Sequence, residues 1–319
     1  MNAQEGIIVD CAPPRRRGRF EKSLRRYWML YLMLLPAVVI VCIYCYLPMV
    51  GLVIAFQNYL PSAGISGFFN SKWVGFANFS FLKQPYFWQC VKNTLVIAVY
   101  RTVVCLVLPI ILAIMINELK SRKFQRITQT IGYMPYFMSW VIIAYLVQEL
   151  LNPDTGTVNT VIQWLGGQPA SFLALPSWFP TIMVVEAIWQ SIGWSTIIYF
   201  AALSNINPEL QEACLMDGAK RYQRIWHVDL PSIRPTIVIV FILNMPSLLN
   251  ANYAQVWPLH NNANAPTSMI VEAFIIQQGL GKGQFSQSTA MGLVFSVVTL
   301  AVVLIANYIS RKAGDEGLF

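Results

Sequence analysis

The chain has 319 residues, 56% hydrophobic and only 11% charged, with a mean hydropathy of +0.53. Those values lie outside the range of soluble domains and predict an all-α, multi-span membrane protein. The net charge of +8 could suit nucleic acid, but the positive residues gather in alternate connecting segments and no groove-reading motif accompanies them, which excludes that class.

Residues 1–27 form a basic tail with Arg15, Arg16, Arg17, Arg19, Lys22, Arg25 and Arg26. A run of like charge is expected to be solvated and to lean on anionic lipid. No apolar core followed by a small-residue cleavage site is seen there, so no cleaved signal peptide is expected. The first span is predicted at 28–48, with Pro36 tolerable inside a membrane helix. A loop rich in Gly, Ser, Asn and aromatics covers 57–89, a second span 93–116 and a short basic loop 117–126. The third span is expected at 127–151, followed by a loop at 152–180 without Lys or Arg and a fourth span at 181–204. A polar central loop, 205–235, leads to a fifth span at 236–254, a long outer loop to 288 and a sixth span at 289–309. Each span is near the ~20 residues that cross hydrocarbon. The organisation expected is a tail, 1–27, and one six-span domain, 28–319.

Of the 22 Lys and Arg, 17 fall in the tail, the second loop, the central loop and the C-terminal tail. Lys72, Lys83 and Lys282 lie in the alternate loops, Lys92 at a span end and Arg101 inside the second span. The positive-inside rule then places both termini and the central loop in the cytoplasm. Most of Cys11, Cys42, Cys45, Cys90, Cys105 and Cys214 sit in or beside apolar runs, so they form no secreted disulfide framework. Cys42-x-x-Cys45 has a redox or metal spacing but no histidine nearby, and reads as two small hydrophobes. His227 and His260 lie in different loops on opposite faces, so no metal site and no catalytic triad is expected. The stretch Gly279-Leu280-Gly281-Lys282-Gly283 lacks the first glycine of a phosphate loop and a Ser or Thr after its lysine. It reads as a turn, leaving no visible ATP site.

The central loop reads NPELQEACLMDGAKRYQRIWHVDLP from Asn207 to Pro231. Asn207 is a good N-cap, Pro208 fits the first helical position and Glu209 suits the positive end of the helix dipole. A helix can run to Asp217 and stop at Gly218, which adopts the left-handed cap conformation at little cost. A second helix is expected over 219–228, with Tyr222, Ile225 and Trp226 on one face and Leu230-Pro231 ending it.

The order Glu212-Ala213-Cys214, three residues, Gly218, nine residues, Val228, one residue, then Leu230-Pro231 closely resembles the EAA signature of ABC-importer permeases. Cys214 stands where a second alanine is usual, a change that keeps a small side chain. TLVIAVYRTVVCLVLPIILAIMINEL, IIYFAALSNINPELQEA and SLLNANYAQ are similar to segments of carbohydrate permeases, above all the branch handling oligosaccharides and uronate polymers such as alginate. The resemblance implies the type I ABC-importer permease fold in a bacterial inner membrane. It implies a second permease subunit, an ATPase subunit dimer carrying ATP and Mg, and an extracytoplasmic solute-binding protein that delivers the sugar. It also implies that the first short helix couples to the ATPase, with Glu212 facing basic residues there, Ala213 permitting close approach and Gly218 making the turn. Cys214, Asp217, Leu230 and Pro231 complete the coupling set. No cofactor and no bond-breaking chemistry are expected on this chain.

The substrate path is read from polar residues inside spans. Arg101 and Glu186 are intramembrane charges, which are expensive and face a bundle interior. They could pair with each other, Arg101 could meet an acidic sugar, or both could be structural. Asn244, Asn250, Asn252 and Tyr253 interrupt the fifth span near Pro246 and suit either sugar contacts or helix–helix hydrogen bonds. Trp189 and Trp194 read as packing aromatics. The rival class is an ion-coupled secondary transporter or channel, for which the sequence offers few intramembrane acids besides Glu186.

Overall fold

The structure is a computed structural model that describes residues 26–248 and 251–312. The basic tail up to residue 25 and the path candidate Asn250 therefore lie outside the described residues. The chain divides into two units, 1–53 and 54–319. In the first, α1 (Trp28–Val41) continues through a π turn, Cys42–Tyr46, into Leu47–Val50.

In the second unit the regular structure among the described residues is helical, apart from an isolated bridge between Gln57 and Trp73. A short helix α2 (Gly64–Asn70) and a 3-10 stretch, Gly75–Lys83, lead to α3 (Pro85–Asn117). Next come α4 (Arg122–Tyr133), α5 (Trp140–Leu150), α6 (Thr157–Trp164) and α7 (Phe179–Ser204). They are followed by α8 (Pro208–Met216), α9 (Arg221–Arg224) and α10 (Leu230–Leu248). Three short helices, α11 (Tyr253–Val256), α12 (Ala265–Ser268) and α13 (Val271–Ile276), precede the last, α14 (Phe285–Lys312). Among the described residues, five helices are long and apolar enough to cross a membrane, and a bent pair raises the number to six if it counts as one span.

Three sequence expectations change. The third span is no straight helix: Arg122–Phe137 and Trp140–Leu150 meet at 101°. The chain tightens into a 3-10 turn over Met134–Phe137 and turns extended at Met138 (φ −80°, ψ 140°), and Ser139 restarts the helix by accepting a hydrogen bond from the Ile142 N–H at 3.4 Å. The second helix of the central loop does not end at Leu230-Pro231 either. It runs unbroken into the fifth span, which starts at Arg221 rather than 236. A π turn over Ile225–Asp229 shifts the hydrogen-bond ladder, the Leu230 N–H reaching Ile225 O, so the donor missing at Pro231 falls at an existing offset.

The third change is the outer segment before α14, which is folded and is among the most buried parts of the chain. Gln255, Val256, Leu259, Asn264, Ser268 and Ile270 are all shielded from solvent. Side-chain amides hold this cap in place. Asn93 Nδ2 on α3 donates to Pro266 O at 2.9 Å and Met269 O at 3.0 Å, and Asn264 Nδ2 donates to Leu173 O and Leu259 O, both at 2.9 Å. Buried backbone carbonyls must be satisfied, and these amides do so where no regular ladder exists. The larger apolar core lies here, around Phe81, Phe87, Phe179, Met183 and Phe274. A smaller one joins Ala113 of α3, Tyr199 and Leu203 of α7 and Ile233 of α10 at the other end.

Helices α4 and α7 cross at two glycines. A Cβ added at Gly193 would lie 2.1 Å from the Gly132 carbonyl, whereas one added at Gly132 would meet Gly193 Cα at 3.7 Å. Gly193→Ala is therefore expected to cost about 1–3 kcal/mol, the usual penalty of overpacking, and Gly132→Ala close to nothing. Thermal unfolding of the purified protein in detergent measures both; equal midpoints for the two variants would contradict the crossing.

Candidate functional site

The segment carrying the signature folds as a capped knob. Asn207 Oδ1 accepts the Glu209 N–H at 3.1 Å, which fixes the start of α8. At its end the Gly218 N–H reaches Leu215 O at 3.1 Å and the Ala219 N–H reaches Cys214 O at 3.0 Å, with Gly218 at φ +75°. That pair of bonds is the Schellman arrangement, which needs the left-handed residue glycine supplies. Glu212, Ala213 and Asp217 are exposed and Cys214 is half-buried. Leu215 and Met216 are 62% and 87% exposed, so the helix presents an apolar tip beside its acids. Leu230 packs in the smaller core, while Pro231 is exposed. Tyr222 and Trp226 also face outward.

The opposite face of the knob is fastened by charges that sequence reasoning missed. Glu118, the C-cap of α3, takes both Arg221 and Arg224 as ion-pair partners. Arg224 Nε lies 3.5 Å from Asp229 Oδ2, and Gln211 Nε2 of α8 donates to Asp229 Oδ1 at 3.2 Å. Asp229, 1% exposed, thus joins α8 to the base of α10, and Arg224 joins that base to α3. The signal was faint: Glu118 is the acid that follows the second apolar run, and Asp229 occupies the unassigned position between Val228 and Leu230.

The intramembrane candidates separate. Arg101 lies midway along α3, sixteen residues from Pro85 and from Asn117, hence ~24 Å from either end. It lines a cavity of about 300 Å³ together with Asn244. Among the described residues it forms no ion pair with Glu186, the ion pairs being those of Arg221 and Arg224. Glu186 is 3% exposed, accepts from Gln255 Nε2 at 3.1 Å, and keeps a second buried oxygen without a hydrogen-bond partner. Asn244 Nδ2 donates to Val240 O at 2.9 Å. Asn252 adopts φ 58°, and the Tyr253 N–H donates to Glu272 Oε2 at 3.0 Å. The Tyr253 ring stacks on Trp257, centroids 5.3 Å apart. The cavity also takes Tyr136, Ser191, Trp194 and Ser195, none singled out from the sequence as path residues. Ser191 and Ser195 are four apart and so share a helix face, a signal that was there to find.

Glu118→Ala should strand the largely shielded Arg224 and cost about 3–5 kcal/mol, as loss of one partner of a buried pair does. Arg221→Ala, whose side chain is 64% exposed, should cost less than about 1 kcal/mol. Thermal midpoints in detergent test this; a silent Glu118→Ala would show that the cluster is not structural.

The comparisons with known proteins agree with this arrangement. The family described as "Binding-protein-dependent transport system inner membrane component" matches residues 106–315. Protein LplB of Bacillus subtilis (strain 168) is 39% identical over 298 residues, 93% of each chain. The polygalacturonan/rhamnogalacturonan transport system permease protein YteP of the same strain is 39% identical over 305 residues, 95% of this chain and 94% of its own. A solved bacterial alginate ABC transporter, in complex with alginate pentasaccharide-bound periplasmic protein, has a chain that superposes with a TM-score of 0.86 at 36% identity, covering 94% of this chain and all of its own. On the match over 106–315 and these identities, the chain belongs to the binding-protein-dependent transport system inner membrane components, the multi-pass permeases of ABC importers.

Proposed function

We propose that this chain is the transmembrane permease subunit of a carbohydrate ABC importer, working with a second, similar permease, an ATPase dimer and an extracytoplasmic solute-binding protein. The observation that carries the coupling role is the capped helix α8, exposed along its Glu212, Ala213 and Met216 side and tied through Gln211 to the bases of two membrane helices. Such a unit moves as a rigid body when a partner pushes it. ATP and Mg belong to the ATPase, and this chain breaks no bond. Both termini and α8 face the cytoplasm, as the charge asymmetry supports. The names of the relatives, a polygalacturonan/rhamnogalacturonan system and an alginate importer, support an oligosaccharide as cargo. The cargo path passes the cavity of Arg101 and Asn244.

The test is uptake by the four-subunit complex in proteoliposomes. Glu212→Lys reverses a charge at the docking tip. Gly218→Val places a β-branched residue at φ +75°, where a non-glycine residue costs about 1–2 kcal/mol. Each is expected to abolish ATP-driven uptake while leaving the chain in the membrane. Unchanged uptake in both would sink the coupling role, and vanadate-insensitive, proton-driven uptake would assign the chain to ion-coupled transport.

A further inference from the structure

At the middle of α3, in the most expensive place for a charge, Arg101 lines a cavity of about 300 Å³ and makes no hydrogen bond or ion pair with any described residue. An unpaired guanidinium in a membrane span is a functional feature that calls for an anion. Glu186 attracts Arg101 from a distance, but its carboxylate accepts from Gln255 Nε2 at 3.1 Å and makes no direct ion pair with the guanidinium. Neutral polar groups share the wall: the hydroxyls of Ser191 and Ser195 and the amide of Asn244. The wall also holds an aromatic stack, the Tyr136 and Trp194 rings lying with centroids 4.8 Å apart and planes 7° from parallel. The sequence reading gave Trp194 a packing role, yet it is 45% exposed and borders the cavity. A fixed guanidinium matches a carboxylate, hydroxyls and an amide match ring hydroxyls, and aromatic faces match the C–H face of a pyranose. The volume stands at the low end for small-ligand sites, room for a single sugar unit.

We propose that this cavity is a subsite for one uronate unit, in which Arg101 binds the carboxylate and thereby sets the transporter's preference for acidic over neutral oligosaccharides. The inference rests on the permease reading above. It deepens that reading by making the charge of the sugar, rather than its length, the property recognised inside the membrane. Arg101 is the specificity-determining residue, and the Tyr136–Trp194 pair holds the ring so that the carboxylate points at α3.

The experiment compares two probes with one skeleton, trigalacturonate and its fully methyl-esterified, neutral form. Uptake is measured in proteoliposomes holding the complete wild-type or variant complex, with binding-protein-stimulated ATPase activity as the control for assembly. The wild type is expected to favour the acid. Arg101→Gln should lower kcat/KM for the acid by about 10- to 100-fold, the value of one charge-assisted contact, and leave the ester unchanged. Arg101→Lys, which keeps charge but loses the planar fork, should fall between them. If Arg101→Gln does not assemble, Arg101→Lys decides alone: a deficit confined to the acid supports the subsite, and an equal deficit on both probes overturns it. Equal losses in Arg101→Gln would instead assign the arginine to a carboxylate of the partner permease and overturn the proposal, as would wild-type uptake that does not favour the acid over the ester. Wild-type complex that imports no oligosaccharide with ATP would refute the permease reading itself.

Discussion

The arrangement at one end of the molecule depends on a single shared carboxylate. Glu118 closes α3 and holds Arg221 and Arg224, which open the helix that becomes the fifth span. Through Arg224 and Asp229 the same cluster reaches Gln211 of α8. Largely shielded ion pairs contribute little net stability against a well-packed apolar alternative, but they fix geometry, because each partner left alone is costly. Here the geometry fixed is that of a short helix against two long ones. Ser204 ends the fourth span only three residues before the Asn207 cap, and Gly218 lies three residues before Arg221, which opens the fifth, so α8 is held covalently at both ends and by the Gln211–Asp229 hydrogen bond besides.

The interior has its own point of closest approach, where α4 and α7 touch through Gly132 and Gly193. One residue beyond Gly193, Trp194 lies flat on Tyr136, which belongs to the break between α4 and α5. The bend after Phe137, the glycine crossing and the aromatic wall of the Arg101 cavity are thus neighbours. Relaxing the crossing would shift the aromatic wall against the arginine.

Much of this was legible in the sequence, and for local reasons. Apolar runs located the spans because length and hydropathy are properties of each segment alone. Asn207, Pro208 and Gly218 marked α8 because caps act through bonds to their own near neighbours. What escaped depended on distant partners. Leu230-Pro231 reads as a stop, yet the π turn before it accommodates the missing donor. The segment from Gln255 to Gly281 reads as part of an outer loop, yet Asn93, Asn264 and Thr94 supply the hydrogen bonds that let it be buried. Arg101 and Glu186 were visible as intramembrane charges; that one faces a cavity and the other a glutamine is a matter of helix rotation, which the weak amphipathicity of these spans does not encode.

Helix α3 has 33 residues, ~50 Å of rod against ~30 Å of hydrocarbon. Its head is pinned where Gln89 and Asn93 grip the Pro266 carbonyl, and its foot where Glu118 grips two arginines. A stiff strut anchored at both extremities cannot stretch; it can only tilt or spin. Whatever displaces the foot must therefore tilt the whole rod about its pinned head, and Arg101, halfway along, is carried with it.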